Sequence, residues 1–355
     1  MGKTVLLLGA GASVADVATR PKKSRPPLDH GFFRVSAGAG TTPWFAHHVR
    51  EYMQGTYGID IFMPQHDSLE GVMSRLYPDL FSDLVASDAL KAFQALIKLF
   101  TGRLAQTTND LHATHKSLLY RIVSNLLVAG ADPADITILT FNQDIQAEKI
   151  LERLAATQRW NSLASRLFSF PNMYSMAPGA LRSTGTRTQD AFAASAEDTG
   201  ILRVLKLHGS LNWFSKHNSS NPSRTAMLDP HRRLFVTRRR RINVEMKMSG
   251  KRATYALPVI VPPVNHKSAV LPTALRPVWG LAERRLVDAD HIVVFGYSCP
   301  ALDFESANLL TRAYLQNKTC RVSVVDPNGA VATRFIDLLS PQRLSYYSTA
   351  HSFLA

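Results

Sequence analysis

The stretch "VLKLHGSLNWF", residues 204–214, places an imidazole and a glycine, His208 and Gly209, where a short apolar strand should end. A histidine there either satisfies the local structure or acts on something bound beside it. "TFNQD", residues 140–144, is the second unusual strand end, because Asn and Asp are poor strand residues. In an extended chain Thr140, Asn142 and Asp144 point to one side. Asp144 has a structural reading as the cap of a helix beginning near Ile145, but that leaves Asn142 unexplained. "GAGAS", Gly9 to Ser13, makes a tight turn in which backbone amides approach a phosphate, helped by a helix N-terminus and the Ser13 hydroxyl. It falls short of the full G-x-G-x-x-G fingerprint. "VVDPN" puts Asp326 and Asn328 at the end of a late strand, where a carboxylate can hold a ribose diol. Asp-Pro-Asn-Gly is also an ordinary turn sequence.

These residues need elements to position them. Thr4–Leu8 reads as a buried parallel strand entering a glycine turn and then a helix over 12–19. Residues 41–135 turn helical: "DALKAFQALIKLF" sets Leu90, Phe93, Ile97 and Phe100 on one face, and "KSLLYRIVSNLLVAG" stops at Gly130. "DITILT" returns to strand, followed by the helix "IQAEKILERLAA". Residues 157–200 are rich in Ser, Thr, Gly and Ala and read as loop. "RVLKLHGS", "HIVVFGYS" and "RVSVVDPN" are further strands, with the helix "FESANLLTRAYLQ" between the last two. "ALPVIVPPV" reads as an edge or strand end because of its prolines, and "AVLPTALRPVWGLAERRLVDA" is helical in part. Short apolar strands alternating with helices imply an α/β fold, a Rossmann-like doubly wound parallel sheet with a helical insertion. We expect one such core over 1–355, with inserts at 41–135 (helical) and 215–256 (basic). In these sheets ligands bind beyond the carboxyl ends of the strands. The places to look are Gly9–Ser13, Thr140–Asp144, His208–Ser210, Gly296–Ser298 and Asp326–Asn328.

Composition narrows the classes. The 355 residues are 45% apolar, enough for a sizeable core. No run of about 18 uncharged apolar residues occurs, so no membrane association is expected. "MGKTVLLLGAGAS" has the look of a weak signal peptide, but it enters a glycine turn and no cleavage-type segment follows. It reads as the first strand, whose burial also argues against myristoylation at Gly2. Cys299 and Cys320 are the only cysteines. That excludes a disulfide framework and a multi-cysteine zinc site, and fits a reducing, cytoplasmic setting. Residues 231–252 hold nine Lys/Arg and one Glu, thus +8 of the net charge of +14. Such a block is either a solvated face or a surface for nucleic acid or an acidic partner. Its weak alternation suggests a basic two-strand excursion. "HATH", His112 to His115, lacks a third ligand, and His47 and His48 read as surface, so no metal site is expected. "GYSCP" is not a G-x-S-x-G elbow and "MGKT" is not a Walker loop.

GAGAS, TFNQD, LHGS, FGYS and VVDPN, in this order, resemble the sirtuin family in its broad sense. The match covers the Rossmann-like core; the helical block and the basic excursion have no counterpart in it. The four-cysteine zinc module of protein-deacylating sirtuins is missing, and Phe141 stands where deacylases carry a glutamine. "GYSCPALDFES" and "LHGSLNW" look like the bacterial sirtuin-like proteins of antiphage defence, which degrade NAD. The resemblance implies that Gly9, Ala10, Gly11, Ala12 and Ser13 cradle the diphosphate. Asn142 would hold the nicotinamide ribose or the attacking water, with Thr140 beside it, Asp144 would orient groups on the nicotinamide side, and His208 would be the base or polariser. Gly296, Tyr297 and Ser298 would contact phosphate or ribose, and Asp326 and Asn328 the adenosine. Asp29 and Phe33 resemble the loop that closes over the cofactor, and Asp303 has no assigned role. The implied protein is a metal-free NAD glycohydrolase, a triggered NAD-depleting effector. It would be a homo-oligomer held in check by a co-encoded regulatory partner such as a HerA-type DNA-translocating ATPase or a nucleotide-processing protein. The alternatives are an NAD-dependent protein deacylase and a non-catalytic sensor of NAD or ADP-ribose.

Overall fold

The apolar runs form one sheet. In this computed structural model, which describes residues 2–16, 25–26, 28–37, 43–110, 117–170, 172–174, 176–178, 188–194, 200–217, 234–237, 246–248, 254–261, 275–300 and 303–354, strands are numbered in chain order. Strands β1 (Thr4–Leu8), β2 (Ile136–Thr140), β5 (Arg203–Lys206), β10 (His291–Phe295) and β11 (Arg321–Val325) arise from the expected segments. A sixth strand, β12 (Leu344–Tyr347), adds to the β11 edge. The order is β12-β11-β10-β1-β2-β5 and every pair is parallel. Counted within this sheet alone, that is the 3-2-1-4-5-6 arrangement of dinucleotide-binding folds, read from the β5 edge. β1, β2 and β5 are buried along their whole length, as expected of parallel strands covered on both faces. The strand order reverses between β1 and β10, and a crevice opens there above the carboxyl ends.

Helices complete the crossovers in two packed sets. Ala10–Ala15, Leu118–Val128 and Gln146–Ala155 adjoin one another, and Arg276–Val287, Phe304–Gln316 and Gly329–Leu339 adjoin one another. Right-handed crossovers on either side of the reversal put the two sets on opposite faces of the sheet. Between β1 and β2 the chain makes the long helices Pro43–Tyr57, Leu69–Asp79 and Ala86–Asp110. Phe93, Ile97 and Phe100 are buried and Leu90 partly so, which is the face read from the sequence. Among the described residues no helix is long and apolar enough to cross a membrane.

A second sheet lies beside the first, and much of it was not expected. β3 (Met176–Pro178) and β4 (Thr188–Ala194) come from the segment read as loop. With β6 (Gly209–His217), β7 (Leu234–Thr237), β8 (Met246–Met248) and β9 (Thr254–Ile260) they form an antiparallel sheet in the order β3-β4-β7-β6-β9-β8. Segment 157–200 also contributes helical turns at Gln158–Leu163 and Ala164–Leu167, so its loop reading is corrected. The basic stretch does yield two strands, β7 and β8, but they do not pair with each other: β7 joins β4 and β6, and β8 joins β9. Pro258 sits where β6 shifts register and beyond the reach of β8, so its missing N–H breaks no ladder on that side. Arg238–Arg241 and the HATH histidines lie outside the described residues. The helix after the first glycine turn is Ala10–Ala15 rather than 12–19; residues 17–19 lie outside the description.

Candidate functional site at the strand switch point

Two glycine turns meet where β1 and β10 end. A side chain at Gly9 would stand 2.5 Å from the Gly296 carbonyl and from the Tyr297 Cα, and one at Gly11 2.9 Å from the Gly296 backbone. Gly296 itself has φ +60°, and a Cβ there would strike the Gly11 and Ala12 backbone. The amides of Gly9 and Gly11 donate to the carbonyls of Phe295 and Gly296, at 3.1 and 2.9 Å. These glycines therefore join the two halves of the sheet. Two amides of the expected diphosphate cradle are thus engaged within the fold, and Ala12 donates back to Gly9 within the turn. Gly209, at φ +78°, likewise serves structure: a Cβ there would collide with the Val259 carbonyl across the β6–β9 pair.

Ser13, Asn142 and Asp144 form one connected group. Asn142 donates through Nδ2 to the Gly9 carbonyl (2.8 Å) and to Ser13 Oγ (3.1 Å). Ser13 donates to Asp144 Oδ2 at 2.7 Å. Its proton is thus directed to a carboxylate. Asp144 also accepts from the Gln146 amide at 2.9 Å, so one carboxylate serves both the Ser13 hydroxyl and the start of the helix Gln146–Ala155. Thr140 is buried and accepts from the Asn142 amide at 3.0 Å, which fixes the turn that presents Asn142. With both amide protons of Asn142 used on protein acceptors, the group left to meet a ligand is its carbonyl oxygen.

His208 occupies the two-residue turn between β5 and β6 and is only 6% exposed. The ring of Phe141 lies 5.1 Å from it between centroids and stacks in turn on Tyr297 at 4.2 Å, while the Trp279 ring lies 6.2 Å away. Nε2 of His208 is 3.9 Å from Asp303 Oδ2. Asp303, 3% exposed, accepts from the Tyr297 hydroxyl at 3.1 Å and caps the helix Phe304–Gln316 through the Ser306 amide at 3.4 Å. Burial, reinforced by the Asp303 charge, holds the Tyr297 phenol well above its ordinary range. Tyr297 is therefore a neutral donor whose hydroxyl is directed to Asp303.

A cavity of about 410 Å³ opens over these groups. Of the residues named from sequence, Gly9, Ala10, Gly11, Ser13, Asp29, Asn142, Asp144, His208, Gly296, Tyr297, Ser298 and Asp326 line it, and so does Asp303. Ala12, Thr140, Phe33 and Asn328 do not. Phe33 is fully buried against Phe32 at 5.0 Å, a core residue whose amide is held by Asp67. Asn328 caps the helix Gly329–Leu339 through the Ala330 amide, and its own amide donates to Asp326 Oδ1 at 2.8 Å. Burial raises the Asp326 carboxyl above its usual value, with the Asn328 amide pulling it back. Asp29 accepts from Ser68 Oγ and from the Glu70 amide (2.7 Å), which ties its loop to the helix Leu69–Asp79. Leu69, Glu70, Phe100 and Leu104 complete the wall, so the helical block has a place in the site that its sequence did not disclose. No Lys or Arg is among the described residues lining the cavity. Among the described residues there is no group of three or more His, Cys, Asp or Glu arranged to hold a metal ion.

Beneath the cleft runs a buried polar chain. Lys206, 1% exposed, pairs with Glu148 at 3.0 Å and donates to the Asp144 carbonyl. Glu148 accepts from the Tyr174 hydroxyl at 2.9 Å, Tyr174 accepts from Asn212 at 2.7 Å, and Ser210 donates to Asn212 at 2.6 Å. The chain thus links β6 of the second sheet to the turn that bears Asn142. Nearby Asp16 accepts from the Leu118 amide (2.7 Å) and from Gln146 (2.5 Å), and burial pushes its carboxyl up to about 6.

Fold and site together define a Rossmann-like α/β protein with a ligand-sized cleft at its strand switch point. No family model matches the chain, and a search of curated proteins finds none similar to it.

Proposed function

We propose that the chain is an NAD glycohydrolase that cleaves NAD+ to nicotinamide and ADP-ribose. The observation that carries the reading is the convergence of Asn142 and Asp144, from the turn after β2, and His208, from the turn after β5, on one cleft at the switch point. The C1′–N bond breaks with its electron pair leaving on nicotinamide, which neutralises the pyridinium, so no strong general acid is needed. A water oxygen bonds to C1′ and its proton passes to a base and then to solvent. Cleavage proceeds through an oxocarbenium-like ribose. Positive charge developing there is favoured by the carboxylates of Asp144, Asp303 and Asp326 around the cleft. Asn142, through its amide oxygen, is the group to orient the water or a ribose hydroxyl, and His208 the base. With no Lys or Arg among the described lining residues, the diphosphate would be met there by neutral donors.

The order of the five motifs adds the resemblance to sirtuin-like NAD-degrading proteins of bacterial defence. On that ground we place the protein in the cytoplasm as a triggered NAD-depleting effector, a homo-oligomer controlled by a co-encoded partner, a HerA-type ATPase or a nucleotide-processing protein. The basic stretch 231–252 is the segment for an acidic partner or nucleic acid. A protein deacylase is disfavoured by the presence of two cysteines in all. The test is incubation of the pure protein with NAD+, with and without candidate partners, and detection of free nicotinamide. Asn142→Ala and His208→Ala should each lower release by about 100-fold or more while the fold persists. Near wild-type turnover in either variant would reject the assignment.

A further inference from the structure

We propose that Asp303 is the positioning residue for His208: its carboxylate holds the Nε2 side of the imidazole, so that the other ring nitrogen serves as the base. The inference rests on the glycohydrolase reading for its chemistry, but its geometry stands apart from it. Three groups converge on Asp303 from different parts of the chain. The Tyr297 hydroxyl donates to it at 3.1 Å, the Ser306 amide at 3.4 Å, and His208 Nε2 faces it at 3.9 Å. The first two fix the carboxylate, which is 3% exposed, against the turn that carries the histidine. The loop leading to it is fixed as well. Arg334 Nη1 donates to the carbonyls of Ser298 and Cys299 at 3.1 and 3.0 Å, and Cys299 has a left-handed φ of +47°. A non-glycine residue holds such a backbone only where its surroundings impose it, and such strain gathers at functional sites.

Among the described residues, the Phe141 ring from the turn after β2, the Trp279 ring from the helix Arg276–Val287, and the Asp303 carboxylate pack on the imidazole. Of these Asp303 carries the charge; Asp144 and Asp326 line the same cavity. A carboxylate at that distance favours a proton on Nε2, which leaves Nδ1 with the lone pair. In the reaction, water gives its oxygen to C1′ and its proton to Nδ1, nicotinamide departs with the bonding pair, and the carboxylate stabilises the imidazolium until solvent takes the proton. The separation is about 1 Å longer than a hydrogen bond, as is common for such pairs before a ligand tightens the site.

Asp303→Asn is the informative variant, because asparagine still caps the helix through Oδ1 while its Nδ2 donates to the Tyr297 oxygen. The charge is lost and the Tyr297 bond reverses its direction. Two measurements are made on the full chain, with Tyr297→Phe as the control for packing. In the free protein, NMR titration of the His208 imidazole should show its midpoint moving to lower pH by about one unit in Asp303→Asn, and little in Tyr297→Phe. In nicotinamide release, kcat should fall by about tenfold or more with KM held, since the lost interaction grows as the imidazolium forms. An unchanged midpoint overturns the pairing. A moved midpoint with unchanged kcat overturns the positioning role. If the wild-type protein and its candidate partners release no nicotinamide from NAD+, the glycohydrolase reading and the catalytic role fall together, while the titration still decides whether the two side chains are coupled.

Discussion

The Lys206–Glu148 pair offers a direct energetic test of how the floor of the site is built. Both side chains are almost fully buried and 3.0 Å apart, and Lys206 also holds the Asp144 carbonyl. At an effective dielectric of about 20, unit charges at this separation attract by about 5 kcal/mol. Most of that is offset by the loss of water around each ion. The asymmetry appears on breaking the pair: removing one partner strands the other charge, which costs about 3–5 kcal/mol. Lys206→Met leaves the Glu148 carboxylate with the Tyr174 hydroxyl as donor, and Glu148→Gln leaves the Lys206 ammonium with a neutral partner and a carbonyl. Urea denaturation at pH 7, fitted with a common slope, gives the two single costs, and Lys206→Met/Glu148→Gln closes the cycle. We expect the Lys206→Met cost near the upper range and the double variant to be more stable than the two single losses added, by about 2 kcal/mol or more. Strictly additive losses, or a cost below about 1 kcal/mol for Lys206→Met, would refute the reasoning that a desolvated charge pair forms this floor.

Other perturbations follow from the same contacts. Gly296→Ala should prevent the two glycine turns from closing, with a loss of about 3 kcal/mol or more from backbone collision and a disfavoured φ, read by thermal unfolding; a wild-type Tm would show that the turns can separate. Asp16 carries a carboxyl raised to about 6, so its folded form prefers the proton. Stability is then lost as pH rises from the unfolded value near 4 through 6, and the penalty is complete above that. Asp16→Asn should therefore melt higher than wild type at pH 8, by up to about 3 kcal/mol, with the gap closing below pH 4; a lower Tm at pH 8 would contradict this. Leu139→Ala, in the centre of β2, should cost about 2–5 kcal/mol in urea denaturation. Neutralising Arg238, Arg239, Arg240 and Arg241 should weaken assembly or nucleic-acid binding and flatten its salt dependence, with unchanged gel filtration and binding pointing to a solvated loop.

The parallel sheet was legible because its strands are buried on both faces and read as unbroken apolar runs. β12 was not, since Leu344–Tyr347 sits at a half-exposed edge and has no such signature. The second sheet was hidden for a related reason. β3 and β4, with the sequences MAP and TQDAFAA, lie in a segment whose composition suggests loop, and they gain strand geometry from their neighbours rather than from their own propensity. Among candidate site residues, position at a strand end was enough to single out Asn142, Asp144 and His208, which the fold gathers at one cleft. It could not separate Gly9 and Gly11 as ligand contacts from Gly9 and Gly11 as contacts of another turn, because both demand a missing Cβ. Nor could it show that Phe33 faces the core or that Asn328 caps a helix. Asp303 had no readable role, for its partners Tyr297, Ser306 and His208 meet only through the fold.

The wide spacing of the site along the chain has a consequence during synthesis. β1 lies beside β10, and the contact between Lys3 and Asp290 spans 287 positions. Gly296 and Asp303 leave the ribosome well after Asn142 and His208, so a nascent chain first holds Asn142 and His208 without the wall that faces them. Contacts of such long range also form slowly. An enzyme that consumes NAD endangers the cell that makes it. Under the glycohydrolase proposal, the fold itself delays that hazard until the second half of the sheet has been made, and a ribosome that stalls before it releases a fragment without the full site.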